Sequence, residues 1–501
     1  MSASSKQHDP ETLREMNRLL ELENKALHDR LASLTEEVAK LKGESAPEQL
    51  ALELKAVKEQ LGQFQRKLFG DSSERRPQEK PPKETSTKRG HGRTAQDRLP
   101  RIDTLVEFDD DDRVCPACEG ELEAIDGVTE DSELIDVIER QFIVRTIKRQ
   151  KYRCRCNGAI QLAPPPVKHI ARGRYSLDFG AHAFGRKYGW HEPFDRQRRA
   201  MKLHGLDIST QTLWDQVEAI AGKLEPVYEA LRDYILSSDV VGVDETWWRL
   251  MDRKAAKRWW VWAMQSQDAV FFRTAPSRSA DTAAELIGDY RGVILCDAYK
   301  AYETLAKRNP NLRLALCWAH VRRKFVEAEP NYPTCSRALE LIGDLFALDR
   351  ESEDPTLLEG DAKLEAEQAR LALRKEHAPR ILDALREWAL HQRGLPRSSL
   401  RKAIDYMLGN WETLRVFLED PYVPLDNNAT ERALRAIVIG RKNHYGSRSV
   451  RGTEVAAIAY SLVETAKLNG LDPQAYITAA VYGIEIGMPP ERLLPLDGIL
   501  G

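Results

Sequence analysis

The stretch from residue 238 to about residue 328 constrains the fold of this 501-residue chain more than any other. Three short runs, SDVVGVDETWWRL, KRWWVWAMQ and AVFFRTAPS, are rich in β-branched and aromatic residues and are separated by turn-sized gaps, so they read as three consecutive antiparallel strands. SADTAAELIGDY then reads as a helix, GVILCDAY as a fourth strand, AYETLAKR as another helix, and LRLALCWAHV as a fifth strand that passes into the helical VRRKFVEAE. Three antiparallel strands followed by helix, strand, helix and strand is an order that one mixed α/β sheet can accommodate.

Two carboxylates fall at telling places in that order. Asp244 ends the first apolar strand and Asp297 ends the fourth. On adjacent central strands they would lie side by side at one edge of the sheet. Carboxylates that close repel each other, and a divalent cation is the natural compensation; hard oxygen ligands suit magnesium or manganese. The element order is that of a ribonuclease H-like core, in which a third acid is expected from a later helix. LDNNATERALRAIVIGRKN supplies Glu431, followed by Ala433, Leu434, Ile437 and Val438 at helical spacing and preceded by Asn427 and Asn428 as cap or substrate-facing groups. A single Asp at a strand end is usually structural or solvated. Two on the expected strands, with a Glu opening a basic helix, favour catalysis. Glu245 competes with Asp244 for the first position, but a strand that runs through both turns Glu245 to the opposite face.

The flanking regions divide the chain further, giving a multidomain α+β protein. In residues 1–69, Leu13, Leu20, Leu27, Leu34 and Leu41 recur every seven residues, with Asn17, Asn24, Leu31 and Val38 at the companion positions, and a second seam runs through Leu50, Leu54, Val57, Leu61, Phe64 and Leu68. This is a coiled-coil pattern, and the segment has few other apolar residues, which favours self-association over packing on the chain's own core. Residues 70–100 are a polar, basic, proline-bearing linker that fits either a solvated tether or a segment lying along DNA. Residues 101–168 contain Cys115, Cys118, Cys154 and Cys156, two short-spaced pairs that can give a tetrahedral structural zinc site, with ERQFIVRTIKRQKYRC between them alternating as strands do. Residues 169–236 read as helices. Within them HGLDISTQTLWDQV resembles the turn and second helix of a helix-turn-helix, with Gly205 at the turn, Ser209 as N-cap and Leu213 and Val217 on the buried face; DNA contact and plain helical packing both fit. The catalytic core spans 237–453 with a helical insertion at about 326–424, and 454–501 is a C-terminal helical region.

The formal net charge of −3 argues only weakly against a nucleic-acid partner, because the charge is blocked. Residues 140–155 and 432–453 carry no acid, and the second block holds Arg432, Arg435, Arg441 and Lys442. Local patches of this kind neutralise phosphates. Arg322, Arg323 and Lys324, with His320 beside them, follow the fifth strand and are candidates for DNA contact or support of the acids, a solvated helical face being the alternative. No apolar run is long enough to span a bilayer, and the N-terminal residues lack a signal-peptide pattern. A cytoplasmic, nucleoid-associated protein with reduced cysteines is expected, and Cys296, Cys317 and Cys335 read as buried thiols.

Taken together, the zipper, GHGR, CPAC with CRC, VDET, CDAYKAY, CWAHVRRKF, DNNATERALR, IGRKN and SLVETAKLNGLDPQAY resemble transposases of the insertion-sequence 66 family over nearly the full length. The resemblance implies DDE chemistry at Asp244, Asp297 and Glu431, zinc at the four cysteines, and a helical insertion between the second Asp and the Glu. It implies double-stranded DNA, as transposon ends and target, for substrate, and two small accessory proteins of the same element as possible partners. The chain departs from the family where IGRKN is followed by His444-Tyr445-Gly446-Ser447 and not an aromatic-Leu-Phe run, and where RLLPLDGILG lacks an aromatic ending. Two other readings use the same residues: a ribonuclease H-like nuclease or resolvase acting on branched DNA, and a domesticated DNA-binding regulator, which has no need of three intact acids.

Overall fold

The computed structural model describes residues 142–153, 160–163, 165–251, 256–394 and 396–496, together with Ala117. The heptad segment, the linker and the cysteines Cys115, Cys118, Cys154 and Cys156 lie outside the described residues. Described residues from Val144 onward belong to one unit. Of the basic stretch expected to alternate as strands, Lys151–Arg153 (β1) pairs antiparallel with Ile160–Leu162 (β2), Lys151 opposite Leu162. Residues 142–150 form no strand, and Val144 and Ile147 are exposed. Alternation specifies a strand only where one of its faces is buried.

Three helices follow. Leu177–Phe184 (α1) is capped by Ser176, Phe194–Leu203 (α2) comes after one π-helical turn, and the long Thr210–Leu236 (α3) begins at Ser209, whose Oγ accepts the Thr212 amide at 2.9 Å. Gly205, at φ +81°, turns the chain between α2 and α3, a conformation that a Cβ disfavours. Leu213 and Val217 are fully buried, so the cap, the turn and the apolar stripe sit where helical spacing puts them.

The β-rich runs are Val240–Met251 (β3), Ala256–Gln265 (β4) and Val270–Ala275 (β5), an antiparallel meander. Ala280–Ile287 (α4) leads to Val293–Cys296 (β6), and Lys300–Arg308 (α5) leads to Arg313–Leu316 (β7). The sheet order is β5-β4-β3-β6-β7, with β6 parallel to both β3 and β7. β6 is buried at all four positions, as expected of a parallel strand covered on both faces.

The outer strand β5 exposes no bare edge. Val450–Leu468 (α12), a continuous helix across residues 453 and 454, lies against it. Ser461 Oγ accepts the Phe272 amide at 2.8 Å, and Thr465 Oγ1 accepts the Val270 amide at 3.0 Å, so two buried hydroxyls stand in for the missing neighbour strand.

Beyond β7 come Trp318–Ala328 (α6), then Cys335–Arg350 (α7), Gly360–His391 (α8), Ser399–Gly409 (α9) and the short Trp411–Leu414 (α10). This helical block is pinned from within by Arg374. Its buried guanidinium holds Asp349 Oδ1 at 2.8 Å and donates to the Phe417 and Asp420 carbonyls at 2.9 and 3.0 Å. The chain returns to the sheet where the Trp318 amide donates to the Leu425 carbonyl at 2.8 Å. Asn428–His444 (α11) follows, then α12 and Pro473–Glu485 (α13). Cys296, Cys317 and Cys335 are buried thiols. No helix among the described residues is long and apolar enough to cross a membrane.

Candidate active site

Strands β3 and β6 pair over Val240↔Val293, Val241↔Ile294 and Gly242↔Leu295, and then diverge. Carried two residues further, the same register sets Asp297 level with Asp244. Each carboxylate has one oxygen fixed by backbone: Asp244 Oδ1 accepts the Glu245 amide at 2.8 Å, and Asp297 Oδ1 accepts the Tyr299 amide at 3.1 Å. The site sits at the fork between two parallel strands, where backbone groups are released from the ladder and ligands of α/β sheets commonly bind.

The edge of β3 left open by β6 is taken up by α11. At its start, Asn427 Nδ2 donates to the Val243 carbonyl at 3.0 Å, Asn427 Oδ1 accepts from Thr430 Oγ1 at 2.7 Å, and the Asn427 amide donates to Cys317 Sγ at 3.2 Å. Gly242 makes room for this: a Cβ there would collide with Thr430 Oγ1 and sit 2.6 Å from Asn427 Oδ1. Further along, Arg441 donates to Thr246 Oγ1 at 3.3 Å and to the Trp247 carbonyl, with its guanidinium 3.8 Å from the Trp247 ring centre. At its end, Tyr445 and Gly446 take positive φ, Ser447 exchanges backbone hydrogen bonds with Arg249 and Met251 (3.0 and 2.7 Å), and Ser447 Oγ accepts from Trp248 Nε1 at 3.1 Å. A side chain at Gly446 would strike the Arg249 carbonyl. The helix is therefore laced along one strand, and Glu431, in its first turn, is carried to the fork.

Glu431 lies 3.6 Å from His320 Nε2 and 3.5 Å from an Arg323 nitrogen, both on α6. Its Oε1 is buried without a hydrogen-bond partner. The Asp244 carboxyl is pushed up to about 7, first by burial and then by the charges of Glu245, Asp297 and Glu431, against a smaller lowering by its amide donor. Burial holds the His320 imidazole below its ordinary value, offset in part by Glu431. Three carboxylates thus share one electrostatic field, in which Glu431 has Arg323 beside it. Among the described residues, no three His, Cys, Asp or Glu side chains are drawn together tightly enough to hold an ion in this conformation. The oxygen-only donor set, the orphaned Glu431 Oε1 and the raised Asp244 carboxyl nevertheless fit a hard divalent cation.

Glu245 faces away from this cluster. Its fully buried carboxylate is bonded by Arg278 and by the Tyr302 hydroxyl of α5. Tyr299 closes the set, with Arg278 stacked 3.8 Å from its ring centre and its hydroxyl donating to the Arg278 carbonyl at 2.6 Å. Arg278, Tyr299 and Tyr302 buttress the segment that carries Asp297, and sequence reasoning named none of them. The CDAYKAY pattern, with two tyrosines after the acid, was the available signal. A cleft of about 410 Å³ opens beside Asp297, between α5 and the helical block, lined among others by Tyr302, Arg386, Asn410 and Trp411.

The expected DNA-contacting residues divide into two groups. Arg323 pairs with Glu431, Arg441 braces α11, and Lys324 lies 4.4 Å over the Tyr406 ring. Arg322 is half-buried on α6, whereas Arg432, Arg435 and Lys442 are exposed on α11. Asn428 bonds Asp426, through its amide at 3.1 Å and its side chain at 2.7 Å, and Asn427 is buried as a brace.

The family model described as "Transposase IS66 family" matches residues 172–455, which include all three acids, and "zinc-finger binding domain of transposase IS66" matches residues 112–157, which include the four paired cysteines. The chain is 31% identical over 421 residues to the uncharacterized protein y4jD of Sinorhizobium fredii, covering 79% of this chain and 80% of that protein. It is 32% identical over 375 residues to y4hP of the same organism, covering 69% of this chain and 66% of that one. With more than half of its length matched by the family model, the chain belongs to the IS66 family of transposases.

Proposed function

We propose that this protein cleaves DNA at the ends of its mobile element and joins the freed 3′-hydroxyl to target DNA, using Asp244, Asp297 and Glu431 on a ribonuclease H-like core. The observation that carries this reading is the lacing of α11 along β3, which brings Glu431 to the fork occupied by Asp244 and Asp297. In the first step a water oxygen bonds to the phosphorus at the element end, the P–O3′ bond breaks, and the 3′ oxygen leaves as a hydroxyl. In the second, that hydroxyl attacks a target phosphodiester and displaces another 3′ oxygen. No protein nucleophile is needed; positioning and charge neutralisation carry such reactions. Magnesium or manganese ions held by the three carboxylates would supply Lewis acidity and cancel phosphate charge.

The chain's own groups orient the site. Backbone amides fix one oxygen of each Asp, Asn427 and Arg441 fix the helix, and Arg323 and His320 flank Glu431. Arg322, Lys324, Arg432, Arg435 and Lys442 are proposed to meet phosphates. Cys115, Cys118, Cys154 and Cys156 are proposed to hold structural zinc, the heptad segment to join copies of the chain, and small proteins of the same element to assist.

The test is nicking of a labelled duplex bearing the inverted repeats that flank the reading frame, with magnesium, by the full-length protein. Asp297→Asn is expected to lose cleavage by at least about a hundredfold while keeping affinity. Wild-type nicking by that variant, or cleavage that follows junction shape and ignores the repeats, defeats the proposal.

A further inference from the structure

We propose that Glu245, Arg278, Tyr299 and Tyr302 form a clasp that fixes Asp297 relative to Asp244 and so sets which divalent cation the two acids accept. The inference rests on the proposed function and deepens it. The four are positioning residues: Glu245 faces away from the acids, and the clasp reaches them through the backbone.

The two amides that steady the aspartates belong to two members of the clasp. The Glu245 amide donates to Asp244 Oδ1 at 2.8 Å, and the Tyr299 amide donates to Asp297 Oδ1 at 3.1 Å. The side chains of the same two residues meet on Arg278. Its guanidinium bonds the Glu245 carboxylate and lies 3.8 Å from the Tyr299 ring centre, while the Tyr299 hydroxyl donates to the Arg278 carbonyl at 2.6 Å. Tyr302 donates its hydroxyl to the same carboxylate. A path with contact at every step therefore runs from Asp244 through Glu245, Arg278 and Tyr299 to Asp297. It bridges the fork where the ladder does not, since β3 and β6 form no pair beyond Gly242↔Leu295.

The path is stiff. Trp262, opposite Glu245 on β4 and fully buried, donates from Nε1 to the Ser277 carbonyl at 3.3 Å, one residue from Arg278. It also meets the Tyr302 ring edge-on at 6.1 Å, and the Arg278 guanidinium lies 5.0 Å from the Trp260 ring centre. Desolvation offsets most of the attraction within a buried ion pair, so Glu245 and Arg278 add little net stability; what they give is one fixed arrangement. Fixed geometry matters most to a small ion. Magnesium demands near-ideal octahedral oxygens at about 2.0–2.1 Å, whereas calcium accepts roughly six to eight oxygens at about 2.3–2.6 Å in looser arrangements. Two carboxylates free to drift lose magnesium before calcium.

The experiment counts Mn2+ held by the full-length protein on the element-end duplex, by electron paramagnetic resonance, and displaces it with Mg2+ or with Ca2+. The ratio of the two half-displacing concentrations does not depend on the affinity for Mn2+. Tyr302→Phe, which keeps the volume, and Arg278→Lys, which keeps the charge, are each expected to shift that ratio toward Ca2+ by at least about fivefold. An unchanged ratio in the folded variants overturns the proposal, and so does an equal loss of both ions that tracks a lowered melting temperature, the mark of a merely structural role. Asp297→Asn, titrated in parallel, should lose the displaceable Mn2+. If it keeps the wild-type amount, the acids are not the ion site and both readings fall; if it loses the ion while the clasp variants keep the wild-type ratio, the clasp alone falls.

Discussion

Asp244 on β3 and Asp297, the residue after β6, each lie two positions past Gly242↔Leu295, the last pair that those parallel strands form. Each is steadied by a backbone amide, at 2.8 and 3.1 Å, and among the described residues no ion pair holds either side chain in the way Arg278 holds Glu245. The fold therefore places two acids where their charges add, and gives the neighbouring acid on the same strand a salt bridge.

If the two aspartates act on one reaction, their losses should not add. Asp244→Asn and Asp297→Asn are each expected to lower nicking by at least about a hundredfold, and the double variant by little more than either. Single-turnover nicking rates of the three variants check this. A double loss equal to the product of the single losses would separate their roles.

The seat of α11 depends on the missing side chain at Gly242. Gly242→Ala drives a methyl group into Thr430 Oγ1 and Asn427 Oδ1, so the helix start must shift. An overpacked site of this kind costs about 1–3 kcal/mol. Nicking should fall more than tenfold while duplex affinity stays near wild type, measured by rate and by band shift on the same preparations.

His444 should make the fold acid-sensitive. Burial lowers its imidazole to about 3, with Lys187 nearby adding to the effect, whereas the unfolded chain protonates near 6.5. The unfolded state then binds more protons between those values, so stability is fully present above about 6.5 and is lost as pH falls toward 3. At pH 5 the loss amounts to roughly 2 kcal/mol. Urea melts at pH 7 and pH 5 should show a smaller difference in His444→Gln, which can still meet the Tyr460 hydroxyl that His444 Nε2 contacts at 3.2 Å.

Arg374 is expected to be the most sensitive residue of the helical block. Arg374→Ala leaves the Phe417 and Asp420 carbonyls without a buried donor and weakens the hold on Asp349, which Arg370 still meets at 3.0 Å. Breaking a buried pair on one side costs about 3–5 kcal/mol. Denaturant melts of the variant against the wild type measure this directly.

What the sequence disclosed follows from how local each signal is. Strand alternation and β-branched composition are local, so β3 to β7 and the two helices between them were readable, and with them the separate facing of Asp244 and Glu245. The helix that carries Glu431 was readable from the apolar spacing of Leu434 and Ile437, both buried, whereas the choice of Glu431 itself rests mainly on the DNNATER resemblance. Arg278 was not, because its partners Glu245, Trp260 and Tyr299 are distant in sequence. Arg441 looked like any basic helical residue; only the open edge of β3 makes it a brace. The alternation of residues 142–150 misled, since pattern without a buried face specifies no strand. Gly242 carried a usable signal, a lone glycine inside a strand pattern, which often marks close approach of another element.

The departure and return of the helical block have a consequence for how such chains diversify. The main chain leaves the sheet at Trp318 and comes back at Leu425, with those two residues hydrogen-bonded at 2.8 Å, and Cys317 meets Asn427 one step further. What lies between is an exchangeable cassette hung on a closed clasp. Descendants can lengthen, trim or replace it, and the interval from second to third acid can drift in sequence, while the five positions from Asn427 to Glu431 stay fixed by the strand they grip.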